Sequence, residues 1–279
     1  VWSEIGGTQV KVKLVGEGRT AEIFQHQDQT IVKLYRENVL EQNILREYEI
    51  SQFVYSQDIP TPKPIELITV DNRQGIVFEQ ILGPSLLKII SKQPWRVGKY
   101  ARMMAELHYN LHKLEATEEI GRQKEILKRG IKEAPMLSVD EKSVILSYLE
   151  NLPEGHQLCH GDFHPDNVLW DQKAWIIDWM TGLSGDPAGD AARSVIMFSM
   201  GAMPQRVSIF TKLGIGFIRK RLTKVYIREY TQLSGQSYAE IDRWILPVAA
   251  ARLVEWLPVA EKEQLVQDIR KRLKLLSTG

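Results

Sequence analysis

The sequence predicts an α+β protein with two lobes: an antiparallel sheet of five strands carrying one helix, then a mainly helical part. Three observations carry this. Residues 9–81 hold five short stretches of strand character separated by tight polar turns. One helical pattern interrupts them. After "LGPS" (82–85) the apolar spacing takes the helical period and keeps it to the end. Strands and helices are segregated, which argues against alternating βαβ units.

The elements follow in order. "QVKVKLV" (9–15) alternates polar and apolar residues, "AEIFQHQ" (21–27) is shorter, and "TIVKLYR" (30–36) alternates again. "GEGRT" and "DQ" supply the turns, so the three read as a meander. "VLEQNILREYEISQFVYSQ" (39–57) has near-helical spacing and stops at the prolines of "DIPTPKP". "IELITV" (65–70) and "GIVFEQI" (75–81) read as two further strands around "DNRQ". Helices are expected at 95–114, 117–134 and 138–152, the last opening on a Ser138-x-x-Glu141 capping box. The polar stretch "LCHGDFHPDNVLW" (158–170), a short apolar piece "AWIIDW" (174–179) and a glycine-containing loop (181–190) precede the remaining helices. The expected division is 1–80 as the first lobe, 81–85 as a hinge and 86–279 as the second lobe. No internal repeat or low-complexity segment occurs.

Composition narrows the class. The 279 residues suffice for two modest lobes with a sizeable core. The formal net charge of +1 gives no push towards nucleic acid or an acidic membrane. A single cysteine, Cys159, excludes an internal disulfide framework and suits a reducing compartment. "VWSEIGG" at the start lacks a signal pattern. No apolar run approaches the roughly 18–20 residues that span a bilayer. A cytoplasmic protein is expected, with neither nucleic acid nor membrane as partner.

Several stretches hold residues suited to chemistry. Gly16 and Gly18 in "GEGRTAE" make either a plain hairpin turn or a turn whose bare backbone approaches phosphate. No third glycine and helix follow, so a dinucleotide fingerprint is absent. Lys33 in "IVKLY" shares a strand face with Ile31 and Tyr35, and reaches either solvent or an anion in a cleft. Glu41, Glu47 and Glu49 lie on the following helix, and one facing the sheet would hold Lys33. Asp162 and Asn167 are five apart in a loop containing Pro165, and Asp178 ends a short apolar strand. A carboxylate and an amide oxygen are hard donors that suit Mg²⁺, which leaves Asp162 to accept a hydroxyl proton. Zinc is excluded because the lone cysteine has no cysteine partner and no further His/Cys cluster follows His160 and His164. "HYNLH" (108–112) lacks the glutamate of a zinc-protease helix and reads as ordinary helix residues.

Taken in order, a glycine turn, a strand lysine, a helix glutamate, a connector, Asp-x4-Asn and a later Asp match the kinase signature set. "HGDFHPDNVL" with "IIDW", and "GDPAGDAAR" (185–193) after it, resemble the aminoglycoside phosphotransferase family of kinase-like small-molecule phosphotransferases. The resemblance implies a bilobal protein-kinase-like fold, with Asp162 as the catalytic aspartate and Asn167 and Asp178 as magnesium ligands. Lys33 is the implied phosphate-binding lysine and Glu47 its ion-pair partner, with Glu49 as fallback. Gly16 and Gly18 would cover the nucleotide, and Glu79, Gln80 and Ile81 would meet the adenine edge. His160 and Asp190 are implied to support the catalytic loop. The implied cofactors are ATP, with GTP as the other candidate donor, and Mg²⁺.

Departures bear on the substrate. Asp178-Trp179-Met180 stands for Asp-Phe-Gly, and no Ala-Pro-Glu follows. The short span from Asp178 to Asp190 leaves little room for a peptide-docking segment, which argues against a protein substrate. The expected activity is transfer of the γ-phosphoryl group to a small-molecule hydroxyl, of an aminoglycoside-type antibiotic or related compound. A metabolic kinase of choline, homoserine, methylthioribose or sugar type is the alternative, and an inactive nucleotide-binding scaffold the second. Residues 202–279 hold 14 Lys/Arg against 7 Asp/Glu, which disfavours a polycation. Glu255, Glu261 and Glu263 form either a local acidic patch or solvated helix faces. Trp179, Trp244 and Trp256 either stack on an acceptor or pack elsewhere.

Overall fold

The computed structural model describes residues 2–5, 8–11, 13–117, 120–200 and 208–276. It forms two compact units, one combining 1–88 with 166–181, the other 89–165 with 182–279.

In the first unit, β1 (Trp2–Ile5) pairs with β2 (Thr8–Lys11) as a separate hairpin. A five-stranded antiparallel sheet follows, made of β3 (Leu14–Glu17), β4 (Ala21–Gln25), β5 (Thr30–Tyr35), β6 (Pro64–Val70) and β7 (Arg73–Glu79) in the order β3-β4-β5-β7-β6. The expected strand 9–15 is therefore corrected. Its first part pairs with β1, the sheet strand begins at Leu14, and residue 12 lies outside the described residues. Alternation over 9–15 could not show that one run serves two different sheets.

Helix α1 (Glu41–Ser56) lies after β5 and buries Ile44, Glu47, Ile50, Ser51 and Val54 as one stripe. Ala21, Tyr35, Ile44, Ile76 and Phe78 form the core cluster that joins sheet to helix. Val32, Leu34, Val70 and Val77 form a second cluster with Phe24 and Ile68. Side chains alternate along a strand, so residues 31, 33 and 35 of β5 share one face and residues 32 and 34 the other.

The boundary between units falls within α2 (Leu86–Lys92). The second unit contains α3 (Val97–Leu111), α4 (Gln123–Glu133) and α5 (Val139–Glu150). Ser138 caps α5: its Oγ accepts from Glu141 N–H at 3.1 Å, and Glu141 Oε2 accepts from Ser138 N–H at 2.7 Å. The expected helix 117–134 begins later, at Gln123, and its residues 118 and 119 lie outside the described residues.

Three short strand pairings organise 157–185. β8 (Gln157–Cys159) pairs with a strand further along in the second unit. β9 (Val168–Asp171) and β10 (Lys173–Ile176) form a tight hairpin in the first unit. β11 (Leu183–Gly185) is the partner of β8.

The expected loop 181–190 is corrected, because α6 (Pro187–Met200) starts inside it. Asp186 Oδ1 accepts from Ala188 N–H at 2.8 Å, and Pro187 occupies the first helical position, where its missing N–H costs nothing. α7 (Ile209–Ser234) runs from the Ser208 cap to Gly235, whose φ of 73° ends it. α8 (Tyr238–Ala251) and α9 (Val259–Leu276) complete the unit. No helix among the described residues is long and apolar enough to cross a membrane.

Gly83 shows how closely the first unit packs beside the turn of the hairpin. Trp170 N–H donates to Pro84 O at 3.0 Å, and a Cβ at residue 83 would lie 2.2 Å from Trp170 O. Backbone cannot yield as a side chain does. Gly83→Ala is expected to lower stability by about 1–3 kcal/mol through overpacking, read as a lower urea midpoint. An unchanged midpoint would contradict this packing.

Candidate active site

In the first unit the central strand delivers an ammonium into a nearly dry environment. Lys33 lies between Ile23 of β4 and Ile76 of β7 and is only 9% exposed. The solvated alternative for this lysine is thus excluded. Its Nζ donates to Glu47 Oε1 at 2.5 Å and to Asp178 Oδ1 at 2.7 Å. Burial alone would lower the ammonium pKa, but Asp178 and Glu47 together hold it above the usual lysine value. Glu47 sits in the apolar stripe of α1, 1% exposed, and also accepts from Tyr35 Oη at 2.7 Å. Glu49 is exposed on the same helix, so Glu47 is the partner. An isolated buried charge would be costly; here each one meets its opposite.

The β9–β10 hairpin places the two candidate metal ligands. Asn167 directly precedes β9, and Asp178 lies two residues beyond β10. Val168 faces Ile176 across the ladder, and Ile177 N–H donates to Asn167 O at 3.0 Å. The strand pairing thus draws positions 167 and 178 together although ten residues lie between them. Asp178 has φ of 69°, a conformation uncommon outside glycine. Asn167 is buried, whereas the Asp178 side chain is 39% exposed. An amide oxygen and an accessible carboxylate form a donor pair that fits a hard divalent cation.

The nucleotide candidates occupy the same unit. Gly16 lies in β3 opposite Ile23, and Gly18 N–H donates to Ala21 O at 2.8 Å in the turn that follows. A methyl group at either glycine would make ordinary contacts of 3.5–3.6 Å, so packing does not demand glycine there. In the connector, Glu79 N–H donates to Lys63 O and Gln80 N–H to Gln29 O. Among the described residues, Ile81 N–H makes no such backbone hydrogen bond.

The second unit carries the loop 160–163. Gly161 has φ of 73°, which glycine adopts without strain. That turn lets two successive backbone donors face Asp190: His160 N–H reaches Oδ2 at 2.6 Å and Gly161 N–H reaches Oδ1 at 3.0 Å. Asp162 N–H donates to His160 Nδ1 at 3.2 Å, and Ser194 Oγ donates to Phe163 O at 2.8 Å. The Asp162 carboxylate meets His164 Nε2 at 3.3 Å and Arg193 Nη2 at 3.4 Å. Burial would raise its pKa, but these neighbours hold it well below the usual carboxylate range. Asp162 is therefore ionised at neutral pH.

Arg193, which the sequence did not single out, stands beside Asp162 and leads to a chain of matched charges. Arg193 Nη1 donates to Glu255 Oε1 at 2.6 Å, and Arg252 Nε donates to Glu255 Oε2 at 3.1 Å. Glu261 is 6% exposed and lies 3.6 Å from Arg252 Nη2. The open acidic patch considered for Glu255 and Glu261 is thus corrected: arginines match both charges. Among the tryptophans, Trp244 is core, and Trp179 is buried with Nε1 donating to Thr61 Oγ1 at 3.0 Å. Neither offers a face to an acceptor. Trp256 is 87% exposed.

The histidines of "HYNLH" are also corrected. His108 and His112 are buried and contact Asp190 Oδ2 through Nε2 at 3.0 and 3.3 Å. Their spacing from Ala101, Met104 and Ala105 on the buried face of α3 was the signal for this burial.

Residues 11–218 match the family model described as "Phosphotransferase enzyme family" (APH). The chain belongs to this family. The phosphotransferase is similar in structure to an aminoglycoside-3'-phosphotransferase of type VIII, at 18% identity and TM-score 0.61, over 86% of this chain and 93% of that one. The streptomycin–ATP ternary complex of APH(2'')-IIa is similar at 14% identity and TM-score 0.58, over 92% and 91%. Macrolide 2'-phosphotransferase MphH from Brachybacterium faecium is similar at 16% identity and TM-score 0.55, over 95% and 93%. No curated protein matches the chain in sequence. These likenesses establish the kinase-like fold, and the family establishes a small-molecule phosphotransferase.

The cluster around Asp190 sets a pH dependence. Burial, then His112, pulls the His108 pKa from 6.5 down to about 3. Between those values the unfolded chain takes up a proton at residue 108 that the native protein does not, so stability falls as pH is lowered through this window. Burial would raise Asp190, but its histidine contacts hold it well below 3.8, which adds a further loss below that pH. The urea midpoint is expected to be lower at pH 4.5 than at pH 7, with a smaller difference in His108→Gln. Equal pH sensitivity of the two proteins would contradict the assignment.

Proposed function

We propose that the protein transfers the γ-phosphoryl group of ATP to a hydroxyl group of a small molecule with Mg²⁺ as cofactor. The observation that carries this reading is the buried Lys33 ammonium held between Glu47 and Asp178. An ammonium has three donors. Two meet carboxylates, which leaves one to contact a phosphate oxygen. Glu47 and Tyr35 fix the direction of that donor from the far side.

The remaining roles follow from the chemistry of each group. Gly16 and Gly18 leave the turn between β3 and β4 bare, which suits close backbone approach to phosphates. Ile81 N–H is the connector donor for a purine edge. Asn167 and Asp178 would hold Mg²⁺, which when bound neutralises charge on the transferred phosphoryl group. Asp162 orients the acceptor hydroxyl and receives its proton. A carboxylate held below the usual range by His164 and Arg193 is a weak base, so orientation is its main contribution in a loose transition state. His160 and Asp190 keep the loop backbone in place.

One observation bears on the acceptor. Several structural neighbours are aminoglycoside phosphotransferases, and aminoglycosides are polycations. Here Glu255 and Glu261 are matched by Arg193 and Arg252, so a polycation would meet little unbalanced negative charge. Trp256, next to Glu255 in the chain, offers a flat aromatic face that suits a sugar ring or a quaternary ammonium. This favours a neutral or singly charged hydroxyl compound, of macrolide, sugar or choline type, over an aminoglycoside.

A phosphate-transfer screen with ATP and GTP against aminoglycosides, macrolides, choline, homoserine and sugars tests the reading. Nucleotide turnover no greater than the no-enzyme control would favour an inactive scaffold. Asp162→Asn is expected to lower kcat by about two to four powers of ten with KM for ATP little changed; wild-type turnover would refute the role. Asn167→Ala and Asp178→Ala should shift the Mg²⁺ titration to higher concentration or abolish activity, and an unchanged titration would count against these ligands.

A further inference from the structure

The Asp190 carboxylate is surrounded more completely than a loop anchor needs. Oδ2 accepts from three donors, His160 N–H at 2.6 Å, His108 Nε2 at 3.0 Å and His112 Nε2 at 3.3 Å, while Oδ1 accepts from Gly161 N–H. Behind each imidazole stands a tyrosine of α7. Tyr226 Oη lies 2.6 Å from His108 Nδ1, and Tyr230 Oη lies 2.7 Å from His112 Nδ1. All these side chains are fully or almost fully buried. Both pairs are spaced i, i+4, so residue 108 of α3 and residue 112 at its C-cap align with residues 226 and 230 of α7 in register.

The donor directions follow from this arrangement. An ionised Asp190 offers only acceptors, so each Nε2 must carry its hydrogen. In the neutral ring this leaves each Nδ1 bare, and the tyrosine hydroxyl donates to it. Asp190 therefore fixes both rings in the Nε2–H form, and the tyrosine hydroxyls satisfy the bare Nδ1 atoms. With two side-chain donors and two loop amides, the carboxylate has no freedom to rotate away from the loop. His108 makes a second contact, stacking on Phe163 of the same loop with ring centroids 4.2 Å apart.

We propose that His108 and His112 are positioning residues for phosphoryl transfer: facing Asp190 through Nε2–H and braced at Nδ1 by Tyr226 and Tyr230, they lock Asp190 and through it the backbone that carries Asp162. The consequence for catalysis rests on the function proposed above. The lock itself does not, since it is a property of the loop with or without turnover. Neither histidine touches a reacting group. Their effect is on the orientation of Asp162, and so on kcat at constant nucleotide affinity.

The test uses the full chain and four histidine variants. His→Gln keeps an N–H that can face Asp190; His→Leu removes it. Amide exchange at His160 and Gly161 is read by NMR against the amides of α8 as internal reference. In His108→Leu and His112→Leu these two amides are expected to exchange about tenfold faster while α8 is unchanged, with most protection regained in the Gln variants. ATP turnover should follow, with kcat lowered about tenfold in the Leu variants and KM for ATP within about twofold of wild type. Unchanged amide exchange in a folded Leu variant, or Gln behaving as Leu, would overturn the proposal. If the Leu variants do not fold, Tyr226→Phe and Tyr230→Phe carry the test. Each change leaves one Nδ1 without its donor, so the His160 and Gly161 amides should exchange faster than in wild type while α8 is unchanged; unchanged exchange would overturn the proposal. Absence of ATP turnover in the wild type would refute the enzymatic reading alone, because amide exchange still decides whether the lock exists.

Discussion

A carboxylate removed from water must have its charge answered by the protein, and Asp190 is where the second unit is built around that demand. Two loop amides and two imidazoles converge on it. Each donor comes from a different stretch of chain from the one that supplies the acid. α6 brings Asp190, the segment after β8 brings the amides, and α3 brings the rings, which α7 braces. Helix packing alone would bring these segments close without setting the loop backbone to within a hydrogen-bond length. An unsatisfied charge in that interior costs far more than a typical hydrogen bond contributes, so the arrangement is specified by what it avoids.

The first unit applies the same rule to the opposite charge. Lys33 would be an error on a central strand between Ile23 and Ile76 unless carboxylates waited for it. Glu47 and Asp178 do so from a helix and from the end of a hairpin, with Tyr35 fixing the orientation of Glu47. The sheet, α1 and the β9–β10 hairpin are thus tied together by one ammonium. That centre joins residues remote in sequence, and a family built on phosphoryl chemistry would need such a cation. Under the function proposed above, structure and reaction place the same demand on these residues.

Much of this was legible in the residues. Strand alternation announced most of the sheet, and the helical spacing of 39–57 announced α1. The order of lysine, glutamate, Asp-x4-Asn and aspartate pointed to the chemistry. Other features were hidden for physical reasons. Strand periodicity fixes faces but not partners, so residues 9–15 could be read as one strand when they serve two pairings. Asp186-Pro187 was an available helix start, masked by the glycines around it. His108 and His112 were passed over as ordinary helix residues because the pair was weighed only against a metal motif, which it fails. Their place on the buried stripe of α3 carried the information. Arg193 and Glu255 are far apart in sequence, and only the packing of the second unit brings them together.

The β9–β10 hairpin works as a ruler. Its ladder fixes which atoms of residues 167 and 177 abut, and its turn at Gln172, with φ of 58°, lies at the far end. The two parts therefore tolerate change unequally. Extra residues at the tip lengthen the ribbon outward and leave its base as it was. A single insertion or deletion inside either strand reverses every side chain beyond it from one face to the other. The ladder beside Asn167 and Asp178 is therefore the part of this segment that tolerates no change of register.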